Sequence, residues 1–159
     1  MRLSRISWMV LGLALCAGPA LAQARQCLHM GLETPAEVRR REEALTVARL
    51  INLAMDRGAR LPNQQPAYQT WEELASSPTV ESLRGMGGPS GDVARRMQWG
   101  SDEPLPGWEI HHVVRDGAYA FSLTDTRDPC GFTYFSNNTG TVVEGYPARG
   151  GRAGLMPIT

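Results

Sequence analysis

The apolar positions between residues 35 and 57 repeat with the period of an α-helix. Spacings of three and four residues recur in the set Ala44, Val47, Ala48, Ile51 and Met55. Such a stripe is typical of a helix that buries one face. Thr34 and Glu37 have the spacing of a capping box, and Gly58 suits a left-handed C-terminal cap. The pattern therefore predicts a long helix from about Pro35 to Arg57.

The first half of this helix is charged, and the segment after it is rich in turn-forming residues. We interpret the run from Arg39 to Glu43 as a solvated helix face with ion pairs along it, rather than as an anion site. Thr70 and Glu73 repeat the capping-box spacing and predict a short helix that stops before Pro78. The stretch 85–107 holds six glycines and three prolines, which predicts a long irregular loop.

From Trp108 onward the apolar residues alternate with a period of two. This pattern predicts four strands, at about 108–115, 119–123, 132–136 and 141–144. Asp116-Gly117 is a strong signal for a two-residue hairpin turn between the first two strands. Because successive strand residues point to opposite faces, His111 and His112 should lie on opposite sides of the sheet.

The predicted elements define an α+β fold. We expect a long N-terminal helix packed on a four-stranded antiparallel meander, since one face of such a sheet needs a cover. The chain is long enough for one domain, which we place at residues 23–146. Residues 147–159 read as an extended C-terminal tail, because Gly and Pro recur throughout them.

The first 22 residues have the organisation of an export signal. Arg2 and Arg5 precede an apolar run, and Ala20-Leu21-Ala22 supplies small residues for a signal peptidase. The apolar run is shorter than the roughly 20 residues that a membrane span requires. Residues 1–22 are therefore expected to be cleaved, which predicts a secreted or periplasmic bacterial protein. An alternative is a lipoprotein acylated at Cys16.

Removal of this leader leaves two cysteines, Cys27 and Cys130. An even pair in an exported protein is most simply a disulfide. The remaining chain has fourteen Arg and sixteen acidic residues, so no net positive field attracts nucleic acid. All basic residues are Arg, which excludes lysine-based chemistry. Nothing after the leader is apolar enough to indicate a transmembrane segment.

Residues that could carry chemistry are few. His111 and His112 cannot easily share a metal from opposite faces of a strand, and Asp125 with Asp128 lacks the register of a calcium loop. We predict no metal, no cofactor and no catalytic residues. The alternative is a small exported hydrolase that uses one of these histidines with an acidic partner and a nucleophile such as Ser90 or Ser101.

Aromatic side chains are the best indication of a binding surface. Phe132 and Tyr134 share one strand face and Phe135 takes the other. Exposed aromatic side chains are typical of sites that bind proteins or glycans. The residues predicted to form this surface are Trp99, Trp108, Phe132, Tyr134 and Phe135.

The order of elements resembles the globular headpiece of type IV pilins and type II secretion pseudopilins. The segments that carry the resemblance are Ala48 to Asn52, Thr70 to Leu74, Gly107-Trp108, and Asp128 through Gly140. The sequence departs from that family at its start, since the leader ends in Ala-Leu-Ala and residues 23–43 are polar. The resemblance implies a headpiece without the apolar half-helix that packs a filament. We therefore expect a non-enzymatic, protein-binding or structural component of the cell envelope or secretome.

Overall fold

The computed structural model describes residues 27–31, 33–59, 67–146 and 156–157. The predicted leader, Cys16 and tail residues 147–155 lie outside these ranges. The helices are α1 (Pro35–Ala59), α2 (Trp71–Ala75), α3 (Pro78–Arg84) and α4 (Gly88–Arg96). The strands are β1 (Trp108–Arg115), β2 (Ala118–Asp125), β3 (Thr133–Asn137), β4 (Val143–Gly145) and β5 (Met156–Pro157). The α+β class is confirmed.

Both capping boxes form. Thr34 N donates to Glu37 Oε2 at 2.7 Å, and Glu37 N donates to Thr34 Oγ1 at 3.3 Å. Thr70 and Glu73 make the same reciprocal pair at the start of α2. The prediction for Gly58 is wrong, because α1 continues through it to Ala59 and its φ is not positive.

The predicted irregular segment contains a helix. α4 begins after Gly87, and Pro89 fits its first turn because proline has no amide hydrogen to lose there. Gly91 lies where a Cβ atom would come within 1.9 Å of Met86 O. The glycines of this segment suggested a loop. At position 91, however, the glycine allows α4 to pass close to the chain that precedes it.

The sheet is antiparallel, with the strands in chain order from β1 to β5. The β1–β2 hairpin closes with Arg115 opposite Ala118, and the two turn residues Asp116 and Gly117 have φ values of 52° and 72°. These positive values are those of the predicted two-residue turn. β5 was not predicted; it pairs with β4, with Met156 opposite Glu144.

The hydrophobic core lies between the sheet and the helices. α1 contacts β3 on one side and packs against α3 and α4 on the other. β1 and β2 alternate between buried and more exposed positions, with Trp108 and Leu123 fully buried. We call the face with these buried residues the inner face, and the opposite side the outer face.

Candidate functional site

A cluster of ionisable side chains lies beneath the start of α1. It consists of His29, Glu33, Arg40, Arg41 and Asp125, and we call it the ionic cluster. The turn before α1 supplies His29 and Glu33, α1 supplies the two arginines, and the end of β2 supplies Asp125. The side chains of His29 and Asp125 are both 0% exposed, which is rare for ionisable groups unless they are paired.

His29 bridges two carboxylates. Its Nδ1 lies 2.5 Å from Glu33 Oε1, and its Nε2 lies 2.8 Å from Asp125 Oδ2. A general base needs a nitrogen lone pair that faces a substrate. Both ring nitrogens are already engaged, so the histidine is arranged to hold the fold together rather than to take a proton from a ligand.

The arginines complete the charge balance of the ionic cluster. Arg40 donates to Asp125 Oδ2, and its guanidinium lies 5.2 Å from the ring centre of Trp108. Arg41 donates to Glu33 Oε2 at 3.0 Å and lies 3.5 Å from Glu144. The interpretation of Arg39 to Glu43 as a solvated face was therefore wrong for Arg40 and Arg41, because Asp125 at the end of β2 pairs with Arg40, and Glu33 in the turn before α1 pairs with Arg41.

A disulfide joins this turn to the β2–β3 connection. Cys27 and Cys130 are bonded, with Cα atoms 5.2 Å apart. The buried Asp128 supports both sides of the bond, since its Oδ1 accepts from Leu28 N at 3.1 Å and from Cys130 N at 2.9 Å. Both sulfur atoms and Asp128 are close enough to share a metal. The disulfide occupies the thiolates that such a site would need.

The predicted aromatic surface is not a surface. Trp108, Phe132, Tyr134 and Trp99 are only 0%, 3%, 1% and 8% exposed. The first three lie on the inner face or next to it, where α1 and the ionic cluster cover them, and burial raises the pKa of Tyr134. Trp99 Nε1 donates to Ala94 O at 3.0 Å, which anchors it behind α4. Phe135 alone reaches the outer face, where it is half-buried.

The outer face of the sheet carries a half-exposed apolar band. The register places Val113 opposite Ala120, Ser122 opposite Phe135, and Phe135 opposite Val143. Val113 is 56% exposed. Two shallow depressions of about 320 and 400 Å³ lie along this band, and both include Phe135 and Ala120.

The two histidines of β1 lie on opposite faces, as their spacing predicts. His111 is exposed, with Nε2 3.5 Å from Glu109 Oε1. His112 lies on the inner side between Trp71 and Tyr119, at ring distances of 6.4 and 6.3 Å, and burial lowers its pKa. Its Nε2 has no hydrogen-bond partner in the described part of the chain, so no serine there is paired with that nitrogen.

The serines named for the hydrolase alternative have other surroundings. Ser90 lies in α4, and Ser101 Oγ accepts a hydrogen bond from Glu103 N at 3.2 Å. The serine that the register places opposite His111 is Ser122 instead. That pair lies on an open sheet surface, without the enclosed, water-excluding setting that makes polar groups effective in catalysis.

A second polar group was missed by the sequence analysis. Asn52 of α1 is 7% exposed; its Oδ1 accepts from Tyr119 Oη at 2.9 Å, and its Nδ2 donates to Ser136 Oγ at 2.8 Å. Burial raises the pKa of Tyr119 to about 12. The available sequence signal for this group was an asparagine beside the apolar stripe of α1. The sequence signal for the ionic cluster was weaker, since charged residue types alone do not distinguish buried from solvated positions.

Within the residues that the structure describes, no helix is both long and apolar enough to cross a membrane. The sequence matches no known family model, and comparisons with curated proteins and with solved structures likewise give no match.

Proposed function

We propose that the chain is an exported, non-enzymatic domain that binds a protein or surface partner through the outer face of its sheet. The observation that carries the proposal is the unequal covering of the sheet. Helices bury the inner face, whereas the outer face keeps Val113 and Phe135 accessible to solvent. Exposed apolar bands with a polar surround are typical of interaction sites.

Export is supported by the disulfide and by the leader pattern at residues 1–22. Disulfides persist in oxidising compartments outside the cytosol, and the Cys27–Cys130 bond fits that setting. We therefore place the protein in the periplasm or the secreted fraction, with a mature chain that begins at Gln23. Mass spectrometry of the exported protein tests this: an acylated N-terminus at Cys16, or an uncut leader, would contradict it.

The resemblance to pilin and pseudopilin headpieces suggests a role for the domain. α1 packs on β3, and the disulfide ties the turn before α1 to the strand connection. Such an arrangement suits a rigid headpiece that presents a sheet surface. The polar residues before α1 give no apolar segment for a filament core, so we assign a recognition or structural role at the cell envelope.

The absence of catalysis in this proposal follows from how the buried ionisable groups are used. His29, Glu33 and Asp125 are engaged with one another and with arginines. His112 is packed among aromatic rings. A catalytic site needs such groups to converge on a substrate-sized space, and these groups converge on each other.

Photo-cross-linking in the producing cells tests the binding surface. A benzophenone amino acid replaces Phe135 on the outer face in one variant and the exposed Ser82 of α3 in the control. We expect discrete cross-linked products from position 135 and only background from position 82. Equal patterns from the two positions would contradict the proposal.

A further inference from the structure

The open edge of the sheet is formed by β1. Strand order places β1 at the end opposite to β5. The first half of this edge is covered, because Leu105 forms a bridge with Trp108 and Ile110 N donates to Asp102 O at 2.8 Å. Beyond Ile110, no backbone group in the described ranges pairs with the open edge of β1.

The hairpin turn fixes which backbone groups point outward. A two-residue turn is closed by a hydrogen-bonded pair, here Arg115 and Ala118. Hydrogen-bonded and non-bonded pairs alternate along an antiparallel ladder. The backbone N–H and C=O groups of Val113 therefore form hydrogen bonds with β2. His112 and Val114 therefore direct their N–H and C=O groups away from the sheet. The hydrogen bond from Ile110 N to Asp102 O agrees with this alternation, since it also points away from the sheet.

The side chain at the middle of this open stretch is apolar. Val113 is 56% exposed, and among the described residues only Met30 is a comparably exposed large hydrophobic side chain. Proteins usually protect edge strands with lysine, proline, a bulge or a covering segment. Here the segment from Asp102 to Leu105 covers β1 only as far as Ile110. The uncovered stretch beyond Ile110 is centred on Val113.

We propose that two copies of this chain pair antiparallel through β1, with Val113 opposite Val113 of the partner subunit. In this register His112 lies opposite the partner's Val114, and the two equivalent pairs exchange about four backbone hydrogen bonds. Both outer faces lie on the same side, so the apolar bands of the two sheets become continuous. This inference rests on the proposed function, since it enlarges the same binding face.

Charge complementarity favours a second copy as the occupant. Glu109, His111 and Arg115 share the outer face with Val113. The antiparallel register brings Arg115 opposite the partner's His111 and diagonal to the partner's Glu109. The diagonal pair of Arg115 with the partner's Glu109 joins opposite charges, which is favourable between neighbouring strands. The two-fold symmetry makes this Arg115–Glu109 contact occur twice, around a centre where both valines become buried.

Sedimentation equilibrium of the purified, disulfide-bonded chain tests the pairing. Over about 1 to 300 µM, we expect the mass to rise from one chain to two. Val113→Lys places like charges at the two-fold axis and should weaken dimerisation at least tenfold. Val143→Lys makes the same substitution on the same face three strands away, and should leave the dimer intact. A single-chain mass over the whole range, or equal effects of the two variants, would overturn the proposal.

Cysteine cross-linking tests the register independently of affinity. Val113→Cys brings two thiols to a directly opposed, non-hydrogen-bonded pair and should form an intermolecular disulfide rapidly. Arg115→Cys is the control, because two copies of residue 115 lie about 13 Å apart in this register. Equal rates for the two variants would refute the pairing. Loss of pairing with retained cross-linking from position 135 would refute this inference alone and leave the proposed function standing.

Discussion

Removal of the Cys27–Cys130 disulfide should lower the stability of the domain about as much as the most destabilising single core substitutions do. The bond joins residues that are 103 positions apart, so nearly the whole described domain lies inside the closed loop. The test replaces both cysteines by alanine. Both proteins begin at Gln23 and therefore lack Cys16, so that thiol exchange does not obscure the comparison.

The expected magnitude follows from the size of the loop. The chain-entropy model gives about 4.7 kcal/mol at 25 °C for a loop of about 100 residues. The structure describes about 115 residues, and unfolding entropy is about 2.1 cal/mol/K per residue. Dividing the free energy by the resulting entropy predicts a decrease in Tm of about 20 °C.

Calorimetry of the parent and the double variant, at matched pH and protein concentration, gives the measurement. The parent treated with a reductant should follow the variant, since both lose the same constraint on the unfolded chain. A difference in Tm below about 5 °C, with both proteins cooperatively folded, would refute the reasoning. It would mean that native-state strain offsets most of the entropic gain.

Two further substitutions test the buried ionisable groups. Asp125→Asn should lower the free energy of unfolding by about 3–5 kcal/mol, because Arg40 loses its buried counter-charge and His29 Nε2 loses its carboxylate partner. Urea unfolding measures this, and an equal effect of the exposed control Asp116→Asn would contradict it. Because burial lowers the pKa of His112 below 6.5, the unfolded chain binds its proton more readily. The free energy of unfolding should therefore fall as the pH decreases through about 6.5 and below. His112→Gln should make that decrease shallower, as measured by the urea midpoints at pH 7.5 and 5.5. A change no larger than that caused by His111→Gln would argue against assigning the pH dependence to His112.

Local sequence patterns predicted much of the secondary structure. The capping boxes at Thr34 and Thr70 and the hairpin turn at Asp116-Gly117 depend on a few neighbouring residues. The alternation from Trp108 placed His111 and His112 on opposite faces for the same reason. Gly91 shows the limit of this reasoning, since its role is set by Met86 in the preceding turn.

The sites depend on long-range contacts, which periodicity does not encode. Asp125 is 85 positions from Arg40 and 96 from His29, so their burial as an ionic cluster arises only when β2 meets the turn before α1. Phe132 and Tyr134 were expected at a surface because a strand pattern does not reveal which face the helices cover.

The sequence by itself determined an α+β class, the cysteine pair and the two faces of β1, because each follows from residue type and short spacing. Only the tertiary structure decided which aromatic side chains are buried, which charges are paired, and where the open half of β1 begins. Those outcomes depend on the packing of segments far apart in the chain. The free energy of burying a side chain is set by the neighbours that it meets there.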